Sequence, residues 1–290
     1  MDQDLIITKA SGESAKFSEK KLRASLQHSG ASREQIDNVI AEIADKLYPG
    51  ISTKKIYKIA FNLLKGSSRS VAAKYHLKGA IMELGPSGFP FEKYVAEILR
   101  YQGYKIKVGE IVQGHCVSHE VDIIASIDHR QLMIECKYHN LPGIICDVKI
   151  PLYIQSRFKD VELSWKDAAT DTGRNYQGWV VTNTRFSNDA IQYGSCIGLK
   201  LVGWDYPEKG SLKDMIDTLG LYPITCLTSL TKNEKEYLLE KNNVLCIELL
   251  NNKFLLEQLK ISASRVDTIL QETHILCKQF KGIFKMNNNQ

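Results

Sequence analysis

A multi-domain chain of mixed α+β and α/β class is expected from this sequence, on three counts. Apolar residues recur at helical spacing through most of the stretch up to Leu84. The breaker "GPSGFP" at 85–90 interrupts the pattern. Beyond it, short apolar runs of strand length come in succession and then alternate with amphipathic helices. The 290 residues leave room for two domains and a small third module.

The first block, residues 1–85, opens with "LIITKASGESAKF", two short strands around the turn "SGES". "SEKKLRASLQHSG" has Ser18 as N-cap and Gly30 as stop. "SREQIDNVIAEIADKLYPG" carries apolar residues at 36, 39, 40, 43, 44 and 47, a helical spacing, and "STKKIYKIAFNLLKG" repeats it with Ser52 or Thr53 as cap. "SRSVAAKYHLKGAIMELG" is read as the last helix of a four-helix bundle.

The second block, 89–208, begins with the helix "FEKYVAEILRYQG". The strands "YKIKVGEIV", "EVDIIASI" and "QLMIECKYH" follow in succession. "DVKIPLYIQSRFKDVELSWKD" is helical, with Pro151 near its first turn. Then come the strand "GWVVTNT", the Ser187-capped helix "SNDAIQYGSCIG" and the strand "LKLVGWDYP". Strand–helix–strand at this length implies parallel crossovers, so the sheet should begin antiparallel and end parallel. The third block, 211–290, is a run of short helices, "SLKDMIDTLG", "TKNEKEYLLEKN", "NKFLLEQLK" and "SASRVDTILQETHILCKQF", with "MNNNQ" as a frayed tail.

Composition bounds the function. The chain is 43% hydrophobic and 24% charged, ordinary for a soluble globular protein. No apolar run approaches the ~20 residues that span a bilayer. The opening "MDQDLIITKASGES" lacks the pattern of a secretory signal, so a cytoplasmic location and no membrane partner are expected. A net charge of +5 permits a polyanionic partner without being the footprint of a strongly basic nucleic-acid binder. The seven cysteines show no C-x-x-C spacing, so reduced and mostly buried thiols are expected. Cys116/His119 and Cys136/His139 are C-x-x-H pairs, but residues three apart on a strand point to opposite faces and chelate zinc poorly.

The chemistry concentrates in "HEVDIIASIDHRQLMIECKYH" at 119–139, where charges interrupt two apolar strands. Glu135 and Lys137 share one face of their strand, and Asp122 lies inside the preceding one. Paired through the "SIDHRQ" turn, the strands bring both carboxylates toward one end of the sheet. Two close carboxylates repel unless a cation sits between them. Hard oxygen ligands suit Mg²⁺, which takes one or two carboxylates, waters and phosphate oxygens. A lysine beside such a metal could orient the attacking water. A surface ion pair is the plainer account of E-x-K taken alone.

The order helix, strand, Asp-bearing strand, E-x-K thirteen residues later and helix resembles the PD-(D/E)xK nuclease superfamily, specifically its Mrr-like restriction-endonuclease branch. "GWVVTNTRFSNDAIQYGSCIGLKLVGWD" resembles the Mrr-type continuation, while Val121 stands where the motif has proline. The resemblance covers most of 89–208. It implies Asp122 and Glu135 as metal ligands for Mg²⁺ or Mn²⁺, with the backbone carbonyl of Cys136 as a third. Lys137 would position the water, Glu92 would be an accessory acid, and Gln155 would match a glutamine on the following helix. His119, Glu120 and His139 flank the site, and Lys137, Lys149, Arg157 and Arg185 are candidate phosphate contacts on DNA.

"IITKASGESAKFSEKKLRASL" resembles the start of the ATP-cone, a nucleotide-binding regulatory domain, through Ile7, Lys9, Gly12, Phe17, Lys21 and Leu22. "ISTKKIYKIAFNLL" and "VAAKYHLKGAI" match its later helices. The resemblance implies ATP or dATP as effector, held by Lys9, Gly12 and Lys21, with Thr53 and Tyr57 on the third helix. A glycine turn admits phosphates to the backbone and lysines neutralise them. Ala10 stands in place of the family's arginine and removes a bidentate phosphate contact. The third block has some likeness to helix–hairpin–helix modules, without their G-x-G turn.

Together these imply a metal-dependent DNA endonuclease regulated by nucleotide. The alternative is a non-catalytic, nucleotide-responsive DNA-binding regulator that keeps the nuclease fold as a platform. A structural protein that forms a homo-oligomer through the cone is the third possibility.

Overall fold

Serine hydroxyls start the helices of the first segment. Ser18, Ser32 and Ser52 each accept a backbone N–H three residues on, and Ser32 closes a full capping box with Gln35. The computed structural model describes residues 5–9, 12–168 and 173–278; Ala10 and the tail "MNNNQ" lie outside the described residues. The segment holds the antiparallel pair β1 (Ile6–Thr8) and β2 (Ser14–Lys16), then α1 (Glu19–His28), α2 (Arg33–Ala44), α3 (Thr53–Ser67), α4 (Arg69–Tyr75) and α5 (Leu77–Met82). Leu26, Ile43, Ile51, Ala60 and Leu64 are buried at its centre.

The single helix expected over 69–84 is two, broken at His76. A Cβ added at Gly79 would lie 2.6 Å from His76 Cε1, so the glycine makes room for this imidazole. The ring is held from both sides. Tyr57 Oη lies 2.5 Å from His76 Nδ1, and Glu83 Oε1 lies 3.1 Å from Nε2.

The middle segment begins with α6 (Phe89–Tyr101), which has Pro90 in its first turn, where the missing N–H costs nothing. Next come β3 (Lys105–Gln113), β4 (Ser118–Ile127), β5 (Arg130–Lys137) and β6 (Ile145–Cys146). After them lie α7 (Lys149–Ala168), β7 (Asn175–Thr182), β8 (Arg185–Phe186), α8 (Asn188–Ile197), β9 (Lys200–Val202) and α9 (Leu212–Leu219). The main sheet has the order β3-β4-β5-β7-β9. Its first two junctions are antiparallel and its last two parallel, the arrangement expected from the sequence. A Cβ at Gly178 of β7 would come within 2.9 Å of Phe158 Cγ on α7, so glycine lets the helix lie close to the sheet. The buried Tyr94 of α6 donates to the carbonyl of Leu221 at 2.7 Å, fastening the end of the segment.

The closing segment contains a short 3₁₀ turn at Ile224–Cys226, then α10 (Lys232–Glu240), α11 (Cys246–Asn251), α12 (Phe254–Glu257) and α13 (Ala263–Leu276). Of "NKFLLEQLK", expected as a helix, four residues are α-helical. The chain divides into two compact units. One comprises Met1–Glu83 with Tyr222–Lys278, and the other is built on Leu84–Leu221. The sequence reading set 211–290 apart as a module; in the structure α9 clusters with the sheet, and 222–278 with the first 83 residues. The buried Thr225 hydroxyl donates to Ala80 O at 2.6 Å. Lys235 Nζ donates to Thr225 O at 2.6 Å and lies 3.9 Å from Glu83 Oε2.

Within this segment the buried Glu272 accepts the amides of Thr228 at 2.8 Å and Ser229 at 2.9 Å. Among the described residues no helix is long and apolar enough to cross a membrane.

Candidate functional site

The β4–β5 ladder pairs Ile123 with Ile134 and runs to Ile127 with Arg130. One step beyond Ile123–Ile134, the same register sets Asp122 opposite Glu135. Side chains take over from the ladder there. Asp122 Oδ2 accepts the backbone N–H of Cys136 at 2.7 Å. Glu135, whose side chain is 7% exposed, holds Lys137 Nζ on Oε1 at 2.6 Å and Arg157 on Oε2 at 2.7 Å. Arg157 reaches in from α7 and also donates to the carbonyl of Glu120.

Glu92 comes from the first turn of α6. Burial, and then the charges of Asp122, Glu135 and Glu120, push its carboxyl up to about 7. Burial and the charge of Glu135 likewise push Asp122 up to about 6, against the opposing pull of the Cys136 amide. These carboxylates are therefore close enough to burden one another. The structure brings Asp122, Glu135, Lys137 and Glu92 of the expected set together. Cys136 enters through its amide. Gln155 sits on α7 with its amide oxygen buried and without a protein donor.

The donors fit a divalent cation. The Asp122 carboxyl, pushed up by burial and by the charge of Glu135, would be relieved by positive charge, and carboxylate oxygens are the hard ligands Mg²⁺ or Mn²⁺ takes. Among the described residues no group of three or more His, Cys, Asp or Glu could hold a metal by itself. The C-x-x-H histidines turn elsewhere. His119 Nε2 lies 2.7 Å from Asp160 Oδ2, and His139 Nε2 lies 3.4 Å from Cys146 Sγ.

Sequence reasoning gave no role to Asn183 and set Arg157 on DNA. Asn183 is buried just past β7 and brackets His139, accepting its N–H at 2.9 Å and donating to its carbonyl at 2.7 Å. Thr182 donates to Lys137 O at 2.7 Å. Together they fix the end of the strand that carries E-x-K. The signal was the polar triplet closing "GWVVTNT", since buried polar groups demand partners.

In the other unit, a cavity of about 290 Å³ is lined by Lys9, Lys21, Thr53 and Tyr57. Its volume is at the lower edge of the roughly 300–1,000 Å³ typical of ligand pockets. Of the five expected nucleotide contacts, Gly12 is the one outside its lining; it has φ +85° in the β1–β2 turn. Lys16, Phe17 and Tyr75 complete a wall both cationic and aromatic. Tyr57 and Tyr75 stack with ring centres 5.2 Å apart. Burial pushes the Tyr75 hydroxyl up to about 12 and raises that of Tyr57 further, so both stay neutral donors.

Comparison with known proteins gives the chain its relatives. It is 36% identical over 179 residues to an uncharacterized protein of Archaeoglobus fulgidus, covering 61% of this chain and 97% of that one. The crystal structure of AF1548, described as a protein of unknown function, matches with a TM-score of 0.53 at 34% identity, covering 66% of this chain and 98% of that chain. The MspJI restriction endonuclease in complex with a 27-mer oligonucleotide overlaps 66% of this chain and 43% of its own, at 14% identity and a TM-score of 0.27, too low to carry an argument. The family described as AF1548-like, C-terminal, matches residues 222–277. With nearly the whole of such a relative covered at more than 30% identity, the chain belongs to the AF1548-like family.

Proposed function

We propose that this protein is a metal-dependent endonuclease that hydrolyses phosphodiester bonds in DNA and responds to a nucleotide held in the cavity of the first unit. One observation carries the reading: Asp122 and Glu135 meet at the end of the β4–β5 ladder with Lys137 on Glu135 and Glu92 in electrostatic reach. The arrangement is similar to the D, E-x-K set that the resemblance to Mrr-like nucleases implies.

Asp122 and Glu135 would hold Mg²⁺ or Mn²⁺, with the Cys136 carbonyl as a third donor. When bound, the ion neutralises charge on the phosphate and makes a water more acidic. Glu135 keeps the Lys137 ammonium at the mouth of the site through their 2.6 Å contact. From there Lys137 donates to the attacking water or to a phosphate oxygen and orients it for in-line displacement. Glu92, titrating at about 7, can exchange a proton with water at neutral pH. In the cavity, Lys9 and Lys21 would neutralise the phosphates of ATP or dATP, Thr53 would offer a hydroxyl donor, and the stacked rings of Tyr57 and Tyr75 would form an aromatic wall.

A second reading has its own observation. Both Glu135 oxygens and one Asp122 oxygen already have protein partners, as they would in a non-catalytic DNA-binding platform. The deciding experiment is plasmid nicking with Mg²⁺ or Mn²⁺, with and without ATP and dATP, for wild type and Lys137→Ala. Nicking lost in the variant supports the nuclease, and a nucleotide effect ties the cavity to it. Equal inertness on methylated, unmethylated and branched DNA sinks the catalytic reading.

A further inference from the structure

Arg157 stands outside the D, E-x-K set, yet it makes the most extensive contacts at the site. Its side chain is 13% exposed, so it does not offer itself outward as an ordinary phosphate contact would. One nitrogen meets Glu135 Oε2 at 2.7 Å, on β5. The other meets the carbonyl of Glu120, on β4. The guanidinium also lies 5.5 Å from the ring centre of Tyr153, one turn earlier on α7.

The place of these contacts matters. The β4–β5 pairs stop at Ile123–Ile134. Just beyond, two side chains span the strands in place of the ladder: Asp122, reaching Cys136 N, and Arg157, joining Glu135 to Glu120. A planar fork fits this task because its two donors leave in fixed directions, whereas an ammonium is a point charge. Arg157 also sets a fixed positive charge 2.7 Å from the buried Glu135 carboxylate.

We propose that Arg157 is a positioning residue: it fixes the orientation of Glu135 and the spacing of β4 and β5, so that Asp122 and Glu135 face each other at the separation a divalent cation needs. The proposal rests on the nuclease reading and deepens it. Partners that orient metal ligands typically matter by about 10–100-fold in affinity or activity.

The test uses the full chain with Arg157→Ala and Arg157→Lys. Mn²⁺ affinity is read by calorimetry, nicking by its kcat and KM, and folding by thermal melting. Arg157→Ala is expected to weaken Mn²⁺ binding by about tenfold or more and to lower kcat rather than raise KM for DNA. Arg157→Lys, which can hold Glu135 but not also Glu120, should recover part of both. If a folded Arg157→Ala binds Mn²⁺ within twofold of wild type, the proposal is overturned while the nuclease reading stands. A rise in KM with kcat unchanged would make Arg157 a DNA contact and likewise overturn it. Should Arg157→Ala fail to fold, the decision passes to Arg157→Lys, whose Mn²⁺ affinity must fall below wild type for the proposal to hold. Wild type that neither binds Mn²⁺ nor nicks DNA removes the nuclease reading itself, and the proposal with it.

Discussion

Asp122 accepts the backbone amide of Cys136 at 2.7 Å, a side chain doing the work of a strand where the β4–β5 ladder has ended. The carboxylate is thereby anchored by one oxygen, with the other available to a cation. Replacing it with asparagine keeps an acceptor for the amide and removes the charge. Asp122→Asn should therefore fold normally and lose nicking by more than about 100-fold, the upper end of what outer partners of a metal cost. Activity within tenfold of wild type would remove Asp122 from the site.

The same carboxyl predicts a dependence of stability on pH. Asp122 titrates at about 6 in the fold against an ordinary 3.8, and Glu92 at about 7 against 4.5. Between those values the unfolded chain has released protons that the fold retains, so unfolding becomes easier as pH rises. Metal-free protein should melt at lower temperature at pH 7.5 than at pH 5, and Asp122→Asn should flatten the difference. Mn²⁺ should raise the melting temperature more at the higher pH, since it favours the ionised carboxylates. A metal-free melting profile over this range that is the same in wild type and Asp122→Asn would contradict the assignment.

Lys21 lines the cavity of the first unit beside Tyr57 and Thr53. A charge-assisted contact to phosphate contributes about 1.5–3 kcal/mol, so Lys21→Ala should weaken ATP or dATP binding by about tenfold or more, measured by calorimetry. Nicking without nucleotide should be unchanged. Equal affinity in the variant would show that the cavity holds something other than a nucleotide phosphate.

Glu272 is buried and satisfies two turn amides. Glu272→Ala leaves both without a partner and should destabilise the first unit by about 2 kcal/mol or more, seen as a fall in denaturation midpoint. Glu272→Gln, which retains one acceptor oxygen, should lose less. A midpoint unchanged in the alanine variant would mean that water replaces the carboxylate freely.

The sheet was legible because its strands are short, apolar and punctuated, and because E-x-K and Asp122 interrupt that pattern. Of the five nucleotide contacts that the ATP-cone resemblance implies, Lys9, Lys21, Thr53 and Tyr57 line one cavity, which the resemblance and not local spacing pointed to. Arg157 was not legible, because nothing in "QSRFKD" says which way a helical arginine turns until Glu135 is seen beneath it. The break at His76 was hidden as well: Gly79 within "HLKGAIM" is tolerable in a continuous helix, and only the imbedded imidazole gives it a purpose. The grouping of 222–278 with the first 83 residues depends on single contacts between distant positions, such as Thr225 with Ala80, that no local pattern announces.

That grouping has a consequence for how the molecule is made. Synthesis runs from the N-terminus, and domains fold as units as they emerge. The first 83 residues leave the ribosome early, but the carbonyl of Ala80 and the carboxylate of Glu83 wait for Thr225 and Lys235. All five strands of the main sheet, from Lys105 to Val202, emerge in the interval. A nascent chain stalled before residue 222 therefore has every strand of its main sheet while the unit begun first still lacks 222–278.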